Sequence, residues 1–151
     1  MEDRRGDERG YSLIKLMVVV LVIGILIAVM LPTFIGARER ASDRGTEAGL
    51  HNALVGAKTF YSDGETYTDF HLSASAIESS LAYVTDAPSL PRDGGRTVAI
   101  VQDSGDQLLL VGWSQSGTYL GLADDVLIGN SFCSSAMLPT WATAGDCNNG
   151  W

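Results

Sequence analysis

From Leu16 to Leu31 the chain runs 16 residues, LMVVVLVIGILIAVML, without a charge. With Pro32 to Ile35 included the run reaches about 20 residues, the length a helix needs to cross roughly 30 Å of hydrocarbon. The pattern then changes from continuous to periodic. In ARERASDRGTEAGLHNALVGAKTFY, Leu50, Leu54, Ala57 and Tyr61 follow i, i+4, i+7, i+11 steps, which places them on one helical face. Arg38, Glu39, Arg40, Asp43, Arg44 and Glu47 fall on other faces, as a solvated surface requires. If Ser12 to Tyr61 form one helix, its length is roughly 75 Å at about 1.5 Å per residue, the shape of a stalk. Gly24 and Pro32 interrupt it. Pro32 removes a backbone donor and crowds the preceding turn, which predicts a kink or local unwinding. Gly36, Gly45, Gly49 and Gly56 lower helix propensity but let another backbone approach.

Beyond Tyr61 the helical period is lost. Asp63-Gly64 ends the helix, and Tyr67 and Phe70 are expected to pack back on it. Ser75-Ala76-Ile77-Glu78 matches a capping box, predicting a short helix through Leu81 or Tyr83. Pro88, Pro91 and Asp93-Gly94-Gly95 keep the chain irregular up to Arg96. Three β-rich segments follow, TVAIVQ (97–102), QLLLVGW (107–113) and TYLGLA (118–123), separated by polar four-residue turns of hairpin length. VLIGNSF (126–132) is expected as a fourth strand after Asp124-Asp125. The unbroken apolar run Leu108 to Val111 suggests a strand covered on both faces, with the long helix on one of them. The fold class is α+β. Its zones are residues 1–10, 11–35, 36–62, 63–96 and 97–151: a charged leader, an apolar helix, its amphipathic continuation, a connector with a short helix, and an antiparallel meander with a cysteine-bearing tail.

A charged leader ending at Gly10, then the aromatic Tyr11, then an apolar helix resembles the N-terminus of type IV pilins and type II secretion pseudopilins. The order long helix, connector, antiparallel meander and C-terminal cysteine loop resembles the same family. The resemblance implies a pilin-like fold, with a membrane-spanning and an amphipathic half of one helix packed on the sheet. It implies cleavage of the Gly10–Tyr11 bond by a prepilin peptidase and N-methylation of Tyr11, with the apolar helix kept afterwards. Glycine before the bond suits an extended backbone in a protease cleft. Two rivals stay open: a signal-peptidase cut near Ala37, where Ile35 is bulky for the pattern, and an uncut membrane anchor. Arg4, Arg5, Arg9 and Lys15 before the span, against Arg38, Arg40 and Arg44 after it, bias the N-terminus slightly toward the cytoplasm. The acidic residues of the leader depart from the basic leaders of pilins.

Lys15 is a second departure. Five residues after the leader glycine the family usually carries glutamate, which neutralises the positive N-terminus of an adjacent subunit during packing. A carboxylate among apolar helices fixes register because it is costly unless paired. A lysine would set two cations together, although near a helix end it can snorkel toward headgroups. Two readings follow: a minor or tip subunit with no neighbour to register against, or a major subunit in which another contact compensates. Lys15, Gly24 and Pro32 are thus the candidate assembly residues.

Composition narrows the choice. The net charge is −8, and beyond Lys58 only Arg92 and Arg96 oppose eleven acids, which leaves that half at −9. An acidic head repels phosphate backbones, so no nucleic-acid partner is expected. Cys133 and Cys147, on the outer side of a membrane, suggest a disulfide closing a loop of about 15 residues and contributing about 3 kcal/mol. Free thiols or half of a metal site are the alternatives, and His51 and His71 have no sequence link to either cysteine. Asp124 and Asp125, near Asn130, are weak candidates for a calcium ion, in spacing that matches no specific calcium loop. Otherwise no metal, cofactor or catalytic site is expected; the serines at 114, 116, 131, 134 and 135 lack a nearby histidine. Trp113 is expected in the core, and Trp151 as a tail clamp or partner contact. The functional expectation is a structural subunit of a type IV pilus or related pseudopilus, stored as a single-pass membrane protein with its head outside and then carried into a surface filament. Its partners would be other pilin-like subunits, the prepilin peptidase and an inner-membrane assembly platform. The alternatives are a membrane-anchored binding or adhesin module, and a membrane-anchored enzyme, for which no nucleophile–histidine or metal cluster speaks.

Overall fold

The computed structural model describes residues 5–151, with side chains from Leu13 onward. Helix α1 runs Arg5–Gly64 and stays helical through Gly24 and Pro32, so the expected unwinding does not occur. Pro32 removes the N–H that would ordinarily reach the Ala28 carbonyl, and one lost bond does not end so long a helix. The Thr33 hydroxyl donates to the Met30 carbonyl at 2.8 Å in the same turn.

The chain divides between Arg38 and Glu39 into two compact units. The first is the apolar half of α1. From Leu13 to Phe34 every side chain is exposed. The second, residues 39–151, holds the amphipathic half of α1, a short helix α2 (Phe70–Ile77) and a five-stranded sheet. The strands are β1 (Ala82–Val84), β2 (Thr97–Ser104), β3 (Gln107–Trp113), β4 (Tyr119–Asp125) and β5 (Gly129–Ser135), lying side by side in chain order. β1 is parallel to β2 and all other pairs are antiparallel.

Three local expectations are corrected. The capping box at Ser75–Glu78 does not open a helix: α2 starts at Phe70 and Glu78 is its C-terminal cap. The Glu78 carboxylate accepts instead from the Ser80 amide and hydroxyl, which holds it below the usual carboxylate range. Residues 82–84 are strand rather than helix, because they pair with Thr97–Ala99. The fourth meander strand begins at Gly129, not Val126: Asp125 Oδ1 accepts the Leu127 and Ile128 amides and folds residues 126–128 into a turn.

The sheet is covered on both faces, as the unbroken run in β3 predicts. On one face Leu108 and Leu110 join Leu120 and Leu122, and α1 supplies Leu50, Ala53, Leu54 and Ala57. Tyr67 and Phe70 close the same cluster, their rings 4.8 Å from Tyr61 and 5.6 Å from Phe60, respectively. On the other face Leu109 and Val111 meet Ala87, Leu90, Tyr119, Ala144 and both cysteines. Two glycines set the helix-to-sheet distance. A Cβ at Gly49 would collide with the Gly95 carbonyl, and one at Gly112 with Thr46. Of the helix glycines, Gly49 thus serves close packing inside the head itself.

Candidate functional site

The apolar segment of α1 is the first candidate. Among the described residues it alone forms a helix stretch long and apolar enough to cross a membrane, and none of its most apolar window is covered. Lys15, Gly24 and Pro32 all lie on it, each exposed. Among the described residues nothing lies within 4 Å of the position a Gly24 Cβ would take, so that glycine leaves an open notch on the helix surface. Gly10 and Tyr11 fall outside the residues whose side chains are described. Chemically, a bare cylinder of Leu, Val and Ile can do one thing: bury itself in lipid or against other apolar surfaces.

The second candidate is a polar cluster where α1 leaves the sheet. Asp124 is buried on the helix-facing side of β4. The Lys58 ammonium sits 3.1 Å from Asp124 Oδ1 and donates to Asn130 Oδ1 at 3.3 Å. The Tyr67 hydroxyl donates to Asp124 Oδ2, and burial followed by that acidic partner pushes the phenol well above its ordinary range. Asp124 and Asp125 are neighbours on a strand, so their side chains leave opposite faces. Asp125 accepts from Gln107 at 2.9 Å and from the turn amides, which holds it below the carboxylate range. The two carboxylates therefore do not converge on one ion, and the Lys58 ammonium occupies the position at Asp124 that a cation would take. No group of three or more His, Cys, Asp or Glu side chains capable of holding a metal occurs among the described residues.

Close to this cluster the connector is tied to the β2–β3 turn. His71 Nδ1 is 2.6 Å from Asp103 Oδ2, which also accepts the His71 amide at 2.9 Å. Tyr67 N–H donates to the Gly105 carbonyl at 2.7 Å, and the Tyr61 hydroxyl donates to Asp106 at 2.9 Å. Hydrogen bonding to Asp106 raises the Tyr61 phenol.

The third candidate is the C-terminal tail. Cys133 and Cys147 form a disulfide with Cα atoms 4.9 Å apart. It fixes the tail to β5, and Gly121 on β4 is the residue that makes room, since a Cβ there would collide with Cys133 Sγ. After the disulfide the tail runs along the outer edge of β5. The Gly150 amide donates to the Phe132 carbonyl at 2.7 Å, and the Asn149 side chain bridges the amide and carbonyl of Ser134. Trp151 is a clamp: its indole N–H donates to the Cys133 carbonyl at 2.8 Å, and its ring packs 4.6 Å from Phe132 and 5.9 Å from His51. Trp113 lies half-buried on the other face, stacked on Tyr119 at 4.9 Å. Lys58 and Tyr67, the partners of Asp124, escape sequence reasoning because nothing in the local pattern links positions so far apart.

No protein-family model matches this chain, and no curated protein matches it in sequence.

Proposed function

We propose that this chain is a structural subunit of a type IV pilus or a related pseudopilus. It waits in the membrane as a single-pass protein with its head outside, and enters a filament through its apolar helix. One observation carries the reading: an uncovered apolar helix, ample to span a bilayer, belongs to a chain whose remaining part has a complete core of its own. A helix of that kind is stable either in lipid or against its equals, and a filament subunit uses both in turn. In this reading a prepilin peptidase cuts after Gly10, Tyr11 becomes the N-methylated first residue, and an inner-membrane platform extrudes the subunit among other pilin-like chains. Lys15, in place of the registering carboxylate, leaves two positions open in this reading: a minor or tip subunit, or a major subunit in which another contact compensates. The mass of the mature chain tests the processing step: loss of residues 1–10 with one added methyl group is expected, and an intact N-terminus sinks it. Filaments with this chain along their whole length, rather than at one end, would overturn the tip position.

A further inference from the structure

Of the asparagines in this chain, at 52, 130, 148 and 149, Asn149 alone is followed by glycine. A glycine leaves its own backbone nitrogen unshielded and its φ free. Gly150 holds φ at +75°, and among the described residues nothing lies within 4 Å of the place its Cβ would take. Its nitrogen is the atom placed by the covalent chain to attack Asn149 Cγ and close a five-membered ring.

Every group that this ring closure needs is occupied while the tail lies on β5. Asn149 Oδ1 accepts the Ser134 amide at 3.1 Å and Nδ2 donates to the Ser134 carbonyl at 3.0 Å, which fixes the plane of the side-chain amide. The Gly150 amide donates to the Phe132 carbonyl at 2.7 Å. An amide held in that way gives up its proton only when the bond opens. The Trp151 indole N–H, shared between the Cys133 and Gly121 carbonyls at 2.8 and 3.1 Å, holds the segment down on one side. The disulfide anchors Cys147 on the other. The stretch able to lift is therefore 148–151, all of it exposed.

We propose that Asn149 is a deamidation site gated by the closure of the tail on β5. With the tail lifted, the Gly150 nitrogen loses its proton to hydroxide and bonds to Asn149 Cγ. The Cγ–Nδ2 bond breaks, and the leaving nitrogen takes up a proton from water and departs as ammonia. Water then opens the cyclic imide at either carbonyl, giving aspartate or isoaspartate, with nothing oxidised or reduced. Neither product fits the place the asparagine left. A carboxylate cannot donate to the Ser134 carbonyl and sets a negative charge against it. Isoaspartate also lengthens the backbone by a methylene, which takes Gly150 and Trp151 out of register with Phe132 and Cys133. The step runs one way: a tail open long enough to react stays off β5.

The full-length chain in detergent, kept at mildly alkaline pH and sampled over weeks, tests the site, with peptide mass spectrometry reading each asparagine. Asn149 should convert ahead of Asn52, Asn130 and Asn148. Its rate should be at least about tenfold higher in urea, and in folded Trp151→Ala, than in the folded parent chain, because a gated reaction follows the open population. If Asn149 is as slow in urea as the other asparagines, the site is overturned. A rate in folded Trp151→Ala no higher than in the parent overturns the gate. Hydrogen exchange of the Gly150 amide reads the last step. Asn149→Asp should speed it by at least about fivefold, and exchange as slow as in the parent chain overturns the one-way release.

Discussion

The two halves of α1 share one secondary structure and differ in what surrounds it. From Leu13 to Phe34 its side chains are exposed, including the largest apolar ones. From Leu50 to Ala57 one stripe of the same helix, four small or aliphatic residues, is buried against a sheet. Hydrophobicity alone does not separate them, because the exposed half is the more apolar. The difference is periodicity. A helix apolar all round asks for a medium, whereas one apolar on a stripe asks for a partner surface.

The sharpest way to break this contrast is to change one residue type on each side. Leu110→Ala empties a fully buried site and should lower head stability by about 2–5 kcal/mol, read from thermal melting. Leu26→Ala should leave the same melting midpoint where it is; a shift comparable to that of Leu110→Ala would mean that the apolar half is part of the head's core. Leu26→Arg should cost about 2.5–3.5 kcal/mol of membrane insertion, seen as loss of the chain from the membrane fraction. Next in size is the disulfide. Cys133→Ser with Cys147→Ser should cost the head about 3 kcal/mol and leave the insertion of the apolar half unchanged. A loss in insertion equal to the loss in stability would show that the two halves are not independent.

A smaller effect is expected at the polar cluster. Asp124→Asn keeps the shape but removes the charge facing Lys58, and should cost about 1–3 kcal/mol. Lys58→Met in the same background should cost little more, because the pair is already broken; additive losses in that double-mutant cycle would refute the coupling. The smallest effect is the pH dependence of the head. Asp125 and Asp146 are held low, Asp125 by Gln107 and the turn amides, Asp146 by the amides of Ala142 and Thr143. Their contribution is present above about pH 4, the ordinary carboxylate range, and is lost as pH falls through the lowered values. Tyr83, its hydroxyl buried with no hydrogen-bond partner among the described residues, is pushed by burial up to about 12. Its contribution is full below about pH 10 and is lost as pH rises through about 12. A melting midpoint flat from pH 5 to 9 and falling outside that window is expected; a maximum near pH 4 would contradict it.

The elements legible in the sequence are those whose cause is local. The helix end at Gly64, the three meander strands and their turns follow from periodicity and turn residues within a few positions. The coverage of β3 on both faces was readable from Leu108 to Val111, since unbroken burial needs unbroken apolarity. What sequence missed depends on distant partners. β1 is three residues long and exists because β2 lies beside it. The box at Ser75–Glu78 is locally correct for a helix start, yet α2 begins earlier, where Phe70 reaches the core beneath Phe60 and Tyr83. Val126 to Ile128 have the composition of a strand, and one carboxylate at Asp125 turns them into a loop. Of the candidate sites, the apolar helix was visible at once. The cluster around Asp124 is half legible: its carboxylate stands out beside Asp125 and Asn130, but its partners Lys58 and Tyr67 come from chain segments far from it in sequence.

The tail that closes on β5 changes what that strand can offer to another chain. The outer edge of a sheet is a template for another chain's strand, and proteins that crowd together must blunt it. Here Gly150 and Asn149 take backbone groups of Phe132 and Ser134 on that edge. Trp151 bolts the tail down, and the disulfide keeps it within reach. The last residues of the chain therefore act as a guard against cross-β aggregation, so that when copies meet, the β5 edge is already taken.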